Sequence, residues 1–262
     1  MKTLLNLATQ TTASLISLRD QLRCMAARVW GRMLILPLLL LSMLLISPTA
    51  VYAQEAVLTP QQVVEYALTL EKLESEFYRR AVIAIESDGL ASLPEAAKNA
   101  VISYGQDETQ HVPDLSAVLI SLGGNPDAIT IPDNPNFNAI LNRDPFANPE
   151  DFLLALQYVE DTGVAAYKGQ VQNLLAAGDA AKTVLAGALE IHTVEARHAA
   201  GIRYLRQTYY GADIRPWVRN PREVLFKKVR RGSPIPFKNE AFDGYATRDE
   251  VLAIVGPILA GT

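Results

Sequence analysis

Sulfur is almost absent from this chain. The 262 residues contain one cysteine and four methionines, and all five lie within the first 43 residues. From residue 54 onward the chain therefore offers no disulfide, no cysteine ligand for zinc or an iron–sulfur centre, and no methionine ligand for haem iron. It also lacks the side chains that peroxide oxidises most readily. A metal site in this part of the chain has to use oxygen and nitrogen ligands.

An apolar run over residues 33–46 sets the N-terminal part of the chain apart. Four arginines precede it, and the small residues of 47–53 follow it. The run contains Pro37 and is shorter than the roughly 20 residues that a bilayer-spanning helix needs. The pattern is typical of an export signal cleaved after Ala53. We therefore expect a signal peptide over residues 1–53, an exported protein (periplasmic or secreted) and no stable membrane span after cleavage; a retained membrane anchor is the alternative.

The charge balance argues against nucleic acid as a partner. Removing the expected signal takes away one lysine, four arginines and one aspartate, which changes the net charge from −4 to −8. An acidic exported chain has no electrostatic attraction to a phosphate backbone.

Helix start and stop signals divide the remaining chain into four long helices and one short one. Thr59-Pro60 and Asn148-Pro149 each place a capping residue before a proline at the first helical position. Glycines follow the expected helix ends. Pro113 lies inside the second helix and predicts a kink there unless local packing absorbs the missing hydrogen bond. No alternating β-branched run long enough for a sheet is present, so the predicted class is all-α. The predicted helices span 60–85, 92–122, 149–177, 180–210 and 247–254.

The lengths of the connections predict the topology. Short links join the first helix to the second and the third to the fourth, so each pair should be antiparallel. The segment 124–148 is rich in proline and asparagine and is long enough to return along the bundle, which would make the second and third helices parallel. We expect a four-helix bundle over residues 54–210 with one long crossover, and a C-terminal extension, 211–262, that packs on it.

Two of the three histidines stand three residues after a glutamate, in Glu108/His111 and Glu195/His198. Residues at i and i+3 share one face of a helix, so each pair points a carboxylate and an imidazole in the same direction. The third histidine, His192, is expected to be a packing or surface residue; the alternative is a third imidazole near the site. This paired spacing is the signature of a dinuclear metal site.

The other two long helices each contribute a glutamate with a tyrosine seven residues later, Glu71/Tyr78 and Glu160/Tyr167. Along the chain a helix with a single candidate glutamate ligand is followed by a helix with a Glu-x-x-His motif, and this order occurs twice. Such a weak internal duplication is the arrangement by which four-helix bundles hold two metal ions. Glu74, one turn beyond Glu71, is an alternative ligand that lacks the seven-residue spacing to tyrosine.

Four carboxylates inside a bundle need cations, because buried carboxylates otherwise cost several kcal/mol each or take up protons. Two divalent ions would balance them. Oxygen and imidazole ligands suit iron or manganese, with zinc as an unreactive substitute. In this scheme Glu71 and Glu160 are terminal or bridging ligands, Glu108 and Glu195 bridge, and His111 and His198 cap one ion each. Tyr78 and Tyr167 either hydrogen-bond to ligands, act in electron transfer, or are ordinary core tyrosines.

Three segments carry a resemblance to a known group of proteins: LEKLESEFY (70–78), EDTGVAAY (160–167) and EARH (195–198). They resemble the ferritin-like superfamily over roughly residues 58–210, and most of all its exported branch, often labelled desiccation-related. Relatives include iron-storing ferroxidases, peroxidases, manganese catalases and oxygenases. Bacterioferritin haem ligation and the rubrerythrin cysteine site need residues that positions 54–262 lack. The long crossover and tail disfavour a compact storage cage.

The resemblance and the ligand set together predict the function. We expect an oxidoreductase with two iron or manganese ions that acts on iron(II), dioxygen or peroxide in stress protection; as an enzyme it would be a ferroxidase, a peroxidase or catalase-like. Its partners would be metal ions and small oxidants, and the resemblance leaves a homo-oligomer open. The alternatives are a metal-free structural or desiccation-stress protein on the same scaffold, and iron sequestration.

Overall fold

The computed structural model describes residues 57–87, 89–219, 223, 225 and 242–261. The signal peptide expected over 1–53 lies outside these residues. All regular elements in the described part are helical, and it contains no strand, which confirms the all-α class. They are five α-helices, α1 (Pro60–Glu86), α2 (Glu95–Ser121), α3 (Pro149–Ala176), α4 (Lys182–Tyr210) and α5 (Arg248–Leu259), and the 3₁₀ helices Pro126–Ala128, Phe137–Ile140 and Gly178–Ala181.

The helix ends follow from local chemistry. Thr59 forms a capping box with Gln62 at the start of α1, and the Asn148 side chain accepts a hydrogen bond from the Asp151 backbone N–H at the start of α3. Gly211 ends α4 with a φ of 64°, a conformation that glycine adopts without steric cost. The four long helices lie within three residues of their predicted bounds.

Two prolines lie within helices rather than ending them. The helix α2 continues through Pro113 to Ser121, and α5 continues through Pro257 to Leu259, five residues beyond its predicted end. The kink predicted at Pro113 stays a prediction.

Side-chain contacts fix the directions of the four long helices. Ser75 of α1 faces Thr109 of α2, whereas Tyr78, three residues later in α1, packs against Gly105, four residues earlier in α2. Pairs of contacts between the other helices follow the same pattern. They show that α1 is antiparallel to α3, that α2 is antiparallel to α4, and that α3 is antiparallel to α4. Consequently α2 and α3 are parallel, which confirms the predicted bundle with one long crossover between them.

Two apolar clusters occupy different levels of the bundle. One is built around Phe77 and Phe152 and includes Val101 and Ile202. The other includes Leu68, Leu115 and Leu174 together with Val184. The Glu-x-x-His motif of α2 lies between the cluster residues at 101 and 115, and that of α4 lies between those at 184 and 202. The polar residues therefore occupy a layer that apolar packing closes at both ends.

The C-terminal helix packs on the bundle and on the crossover. The backbone N–H of Ala246 donates to the carbonyl of Ala165 in α3 at 3.1 Å, and the N–H of Asn136 donates to the carbonyl of Ile258 at 2.8 Å. Gly169 is required for this approach, since a Cβ there would overlap the Ala246 carbonyl. Across the described ranges, no helix is both long and apolar enough to cross a membrane.

Candidate metal centre

The four long helices bring all six predicted ligands together in two groups. The first contains Glu71, Glu108, His111 and Glu195, and the second contains Glu108, Glu160 and His198; within each group the donor atoms lie within 4.8 Å of one another. Glu108 belongs to both groups, as expected of a bridging carboxylate. Glu195 belongs to the first group alone, so its bridging role stays a prediction.

These six side chains are removed from water. The glutamates are at most 1% exposed, His198 is 3% exposed and His111 is 8% exposed. Desolvation of this many ionisable groups costs several kcal/mol for each charged one unless an opposite charge lies beside it. The chain thus concentrates negative charge where bulk solvent does not neutralise it.

Several of the oxygen and nitrogen atoms that could bind a metal in this layer make no hydrogen bond. They include both carboxyl oxygens of Glu195, Oε2 of Glu160, Oε1 of Glu108 and Nδ1 of His198. The last two atoms lie 2.7 Å apart without the alignment of a hydrogen bond. Unpartnered buried polar atoms are rare in proteins, and a cation would satisfy them. Carboxylates and imidazoles without thiolate are the donors that iron and manganese accept, so the residues present fit such ions.

Glu108 is the anion that holds the two imidazoles. Burial opposes its charge, but the hydrogen bond to His111 and the His198 imidazole beside it lower the pKa of Glu108 to about 2. His111 Nδ1 lies 2.9 Å from Glu108 Oε2 and 3.0 Å from Glu71 Oε2. Burial would lower the pKa of both imidazoles, yet the carboxylates beside them outweigh it and raise each pKa to about 10. Without metal, protons on the two imidazoles supply the positive charge.

The remaining carboxyl groups respond to burial in the opposite way. Burial and the neighbouring carboxylates raise the pKa of Glu195 well above its ordinary value. Burial likewise raises the pKa of Glu160, and it raises that of Glu71 to about 7. Metal binding would therefore displace protons from this layer, because ligands coordinate in their deprotonated forms.

Each of the two predicted tyrosines hydrogen-bonds across the bundle to a candidate ligand glutamate in the opposite helix pair. The hydroxyl of Tyr78 in α1 donates to Oε1 of Glu160 in α3, and the hydroxyl of Tyr167 in α3 donates to Oε1 of Glu71 in α1. Both tyrosines are at most 5% exposed. Each tyrosine holds one carboxylate in place, as groups that hydrogen-bond to metal ligands do. An electron-transfer role stays a prediction.

Two residues beside His198 were missed from the sequence. Its Nε2 lies 3.1 Å from Asp107 Oδ2, so the ring is held between carboxylates, and Tyr104 stacks on it with 4.3 Å between ring centroids. Asp107 directly precedes Glu108 in α2, but the motif alone gives no reason to pair it with a histidine 91 positions later. The helix crossing creates the contact.

Glu74 is buried but lies outside both donor groups, so the structure favours Glu71, the predicted choice, over it. Gly163, which sequence reasoning did not single out, makes room for it. A Cβ at Gly163 would lie 3.1 Å from Glu74 Oε1 and would overlap the Glu195 carboxyl. His192 also lies outside both groups and is partly buried, as expected of a packing residue.

The architecture and the buried donors agree with a comparison with known families. The ferritin-like domain family matches residues 59–208, more than half of the chain, and the match contains all six donors. No curated protein matches the chain. The exported, desiccation-related branch stays a prediction. Because the match covers more than half of the chain, the chain belongs to the ferritin-like domain family.

Proposed function

We propose that this protein is an exported oxidoreductase that binds two iron or manganese ions between its four long helices and acts on iron(II), dioxygen or peroxide in stress protection. The observation that carries the proposal is the layer of six buried donors with several unpartnered atoms. When bound, two such ions would supply two-electron redox chemistry at one place.

The two donor groups support two metal positions. In this proposal Glu71 and His111 would hold one ion, Glu160 and His198 would hold the other, and both would share Glu108. Glu195, with both oxygens unpartnered in the first group, completes the set. Six protein ligands would not saturate two ions, so positions would remain for a small oxidant or water.

The neighbouring side chains keep these ligands in place. Tyr78 and Tyr167 restrain one carboxylate each, and Asp107 restrains the imidazole of His198. The apolar clusters above and below the layer exclude bulk water and strengthen every electrostatic interaction within it. The arrangement suits small reactants better than large polar ones.

The metal-free alternative has a physical difficulty. A purely structural bundle would gain stability from apolar side chains at these positions, since buried ionisable groups are weak contributors to stability. Here the unpartnered atoms of Glu108, Glu160 and Glu195 lie together at the centre of the bundle. Metal binding gives this arrangement a function that packing does not.

Metal analysis of the full chain, isolated without chelators, tests the proposal. We expect about two iron or manganese ions per chain. A double variant, His111→Ala with His198→Ala, should lose most of the metal and all turnover of iron(II) or peroxide. His192→Ala is the matched control and should keep both, because His192 lies outside the donor groups.

Each alternative gives a different result. Many iron ions per chain after exposure to iron(II) and air would support sequestration. A metal-free chain that gains no stability from added iron or manganese would favour the structural protein. Turnover that survives the double histidine change would place the chemistry elsewhere.

The proposal that the protein is exported is based on the apolar run 33–46 and the residues 47–53 that follow it. Cell fractionation should place the protein outside the cytoplasm, and sequencing of its N-terminus should begin at Gln54. A full-length chain retained in the membrane would support the anchor instead.

A further inference from the structure

A cavity of about 250 Å³ lies beside the metal centre, outside the two donor groups. Its walls come from α1, α3, α5 and the 3₁₀ helix Phe137–Ile140 of the crossover, together with Leu225. They include the apolar side chains of Leu73, Phe77, Val159 and Val255. Ile254, which also lines the cavity, is 42% exposed, so the cavity reaches the surface at α5.

Among the described residues that line this cavity, Glu74 carries the one carboxyl group, and Tyr158 is the other ionisable side chain. The Glu74 side chain is more than nine-tenths buried, and its Oε2 atom has no hydrogen-bond partner. Thr162 also lines the cavity, but its hydroxyl donates to the backbone carbonyl of Tyr158 at 2.7 Å. The cavity thus presents an apolar wall with one unsatisfied carboxyl oxygen.

Water is a poor occupant of such a space. An ordered buried water typically makes about three hydrogen bonds, and apolar cavities that offer fewer partners stay dry and take apolar molecules. An unfilled void also leaves its lining atoms without van der Waals contacts. A ligand that fills the apolar volume and satisfies Glu74 would remove both deficits.

We propose that this cavity binds a small, mainly apolar organic molecule whose single hydroxyl head group hydrogen-bonds to the carboxyl of Glu74. A hydroxyl both donates and accepts, so it fits Glu74 in either protonation state. An apolar cavity of roughly 150 Å³ in another protein takes benzene, and scaling by volume gives a ligand of about ten non-hydrogen atoms here.

The position of Glu74 places the head group beside the metal centre. Glu74 Oε1 and the Glu195 carboxyl both border Gly163, whereas Oε2 is the atom without a partner. The site goes beyond the proposed reaction with small oxidants, since it adds an organic ligand. Its binding is measured without turnover, so it stands or fails independently of the redox proposal.

Equilibrium dialysis of the full chain with 1-octanol, which is close to the expected size, tests the site. 1-Chlorooctane has the same number of non-hydrogen atoms but lacks the hydroxyl. We expect saturable binding of one 1-octanol per chain, a rise in Tm with ligand concentration, and about tenfold weaker binding of 1-chlorooctane.

Two substitutions locate the ligand. Val255→Phe fills the cavity from α5 and should weaken 1-octanol binding at least tenfold, whereas Ile120→Phe, at an exposed position of α2 outside the cavity, should leave it unchanged. Glu74→Leu should weaken 1-octanol binding by about tenfold and leave 1-chlorooctane binding unaffected.

If Val255→Phe does not fold, Ala139→Phe fills the cavity from the crossover side and replaces it. Absence of saturable 1-octanol binding by the wild-type chain would overturn the proposal. Binding that survives the cavity-filling change in a folded variant would also overturn it, because the ligand would then lie elsewhere.

Discussion

The hairpin of α1 and α2 and the hairpin of α3 and α4 contribute equivalent ligands to the centre but surround them differently. Each supplies a glutamate, a tyrosine that reaches the opposite hairpin, and a Glu-x-x-His pair. The residues that precede the glutamates of the two Glu-x-x-His motifs differ. Asp107 precedes Glu108 and reaches His198, whereas Val194 precedes Glu195 and offers His111 no such carboxylate. The duplication therefore keeps the ligands and gives each imidazole its own environment.

The carboxylates of the two Glu-x-x-His motifs differ most. Glu108 contacts both imidazoles, and although burial acts to raise its pKa, these two neighbours lower it to about 2. Glu195 contacts no cation closely enough to hydrogen-bond, and burial together with the other carboxylates raises its pKa. Without metal, the surroundings therefore favour the charged carboxylate of Glu108 and disfavour that of Glu195.

The largest predicted effect follows from this difference. In chelator-treated protein, Glu108→Leu should lower the free energy of unfolding by about 3–5 kcal/mol, because it leaves two buried imidazoles without their shared partner. Glu195→Leu, the equivalent change in the other hairpin, should be neutral or stabilising by up to about 2 kcal/mol, since it removes an unsatisfied buried group. Urea unfolding measures both. Equal destabilisation by the two changes would show that the hairpins are equivalent without metal.

The two imidazoles make the stability of the metal-free protein depend on pH. Burial opposes their protonation, but carboxylates beside them raise the pKa values of His111 and His198 from 6.5 to about 10. The native state then keeps protons that the unfolded state loses, so this stabilisation is complete below pH 6.5 and disappears as the pH rises to 10. We expect a loss on the order of 2 kcal/mol over that range after allowance for solvent screening.

Urea midpoints of chelator-treated protein at the two ends of this range measure the loss. His111→Ala and His198→Ala should each remove part of it, and His198→Ala should remove the larger part because Asp107 also contacts that ring. His192→Ala is the control, since burial lowers the pKa of His192. A stability that rises over the same range would contradict protonated imidazoles at the centre.

The spacing of residues along the helices predicted more of the centre than of its surroundings. Capping residues and helical periodicity gave the four long helices, and the i, i+3 rule placed Glu108 with His111 on one face. Such rules act within one helix. The contacts of Asp107 and Tyr104 with His198 depend on how α2 crosses α4, and nothing local in the sequence specifies that crossing. The same holds for the cavity beside Glu74, which needs α5 and the crossover in place.

A third difference between the hairpins lies three residues after the candidate ligands Glu71 and Glu160. Glu74 follows Glu71, but Gly163 follows Glu160. Gly163→Ala should cause a net loss of about 1–2 kcal/mol, because the new Cβ overlaps the Glu195 carboxyl and this overpacking outweighs the gain in helix propensity. It should also reduce the metal content. Thermal unfolding and metal analysis measure the two effects.

Gly187→Ala provides the matched control in α4. No heavy atom outside its local helix lies within 4 Å of a Cβ at Gly187, so the change should stabilise the protein by about 1 kcal/mol. If both glycine variants gain stability equally, the Glu195 carboxyl moves aside freely and the space at Gly163 is not required.

The smallest predicted effect concerns Asp107, the carboxylate that contacts His198 and has no counterpart beside His111. Asp107→Asn should weaken metal binding by about tenfold, at the low end of such effects, because the Asp107 side chain is 54% exposed. Asp114→Asn, at an exposed position of α2 after His111, is the control and should not alter affinity. Competition with a coloured chelator measures both. Unchanged affinity in Asp107→Asn would mean that stacking on Tyr104, rather than the carboxylate, orients His198, and the two imidazoles would then differ in packing instead of charge.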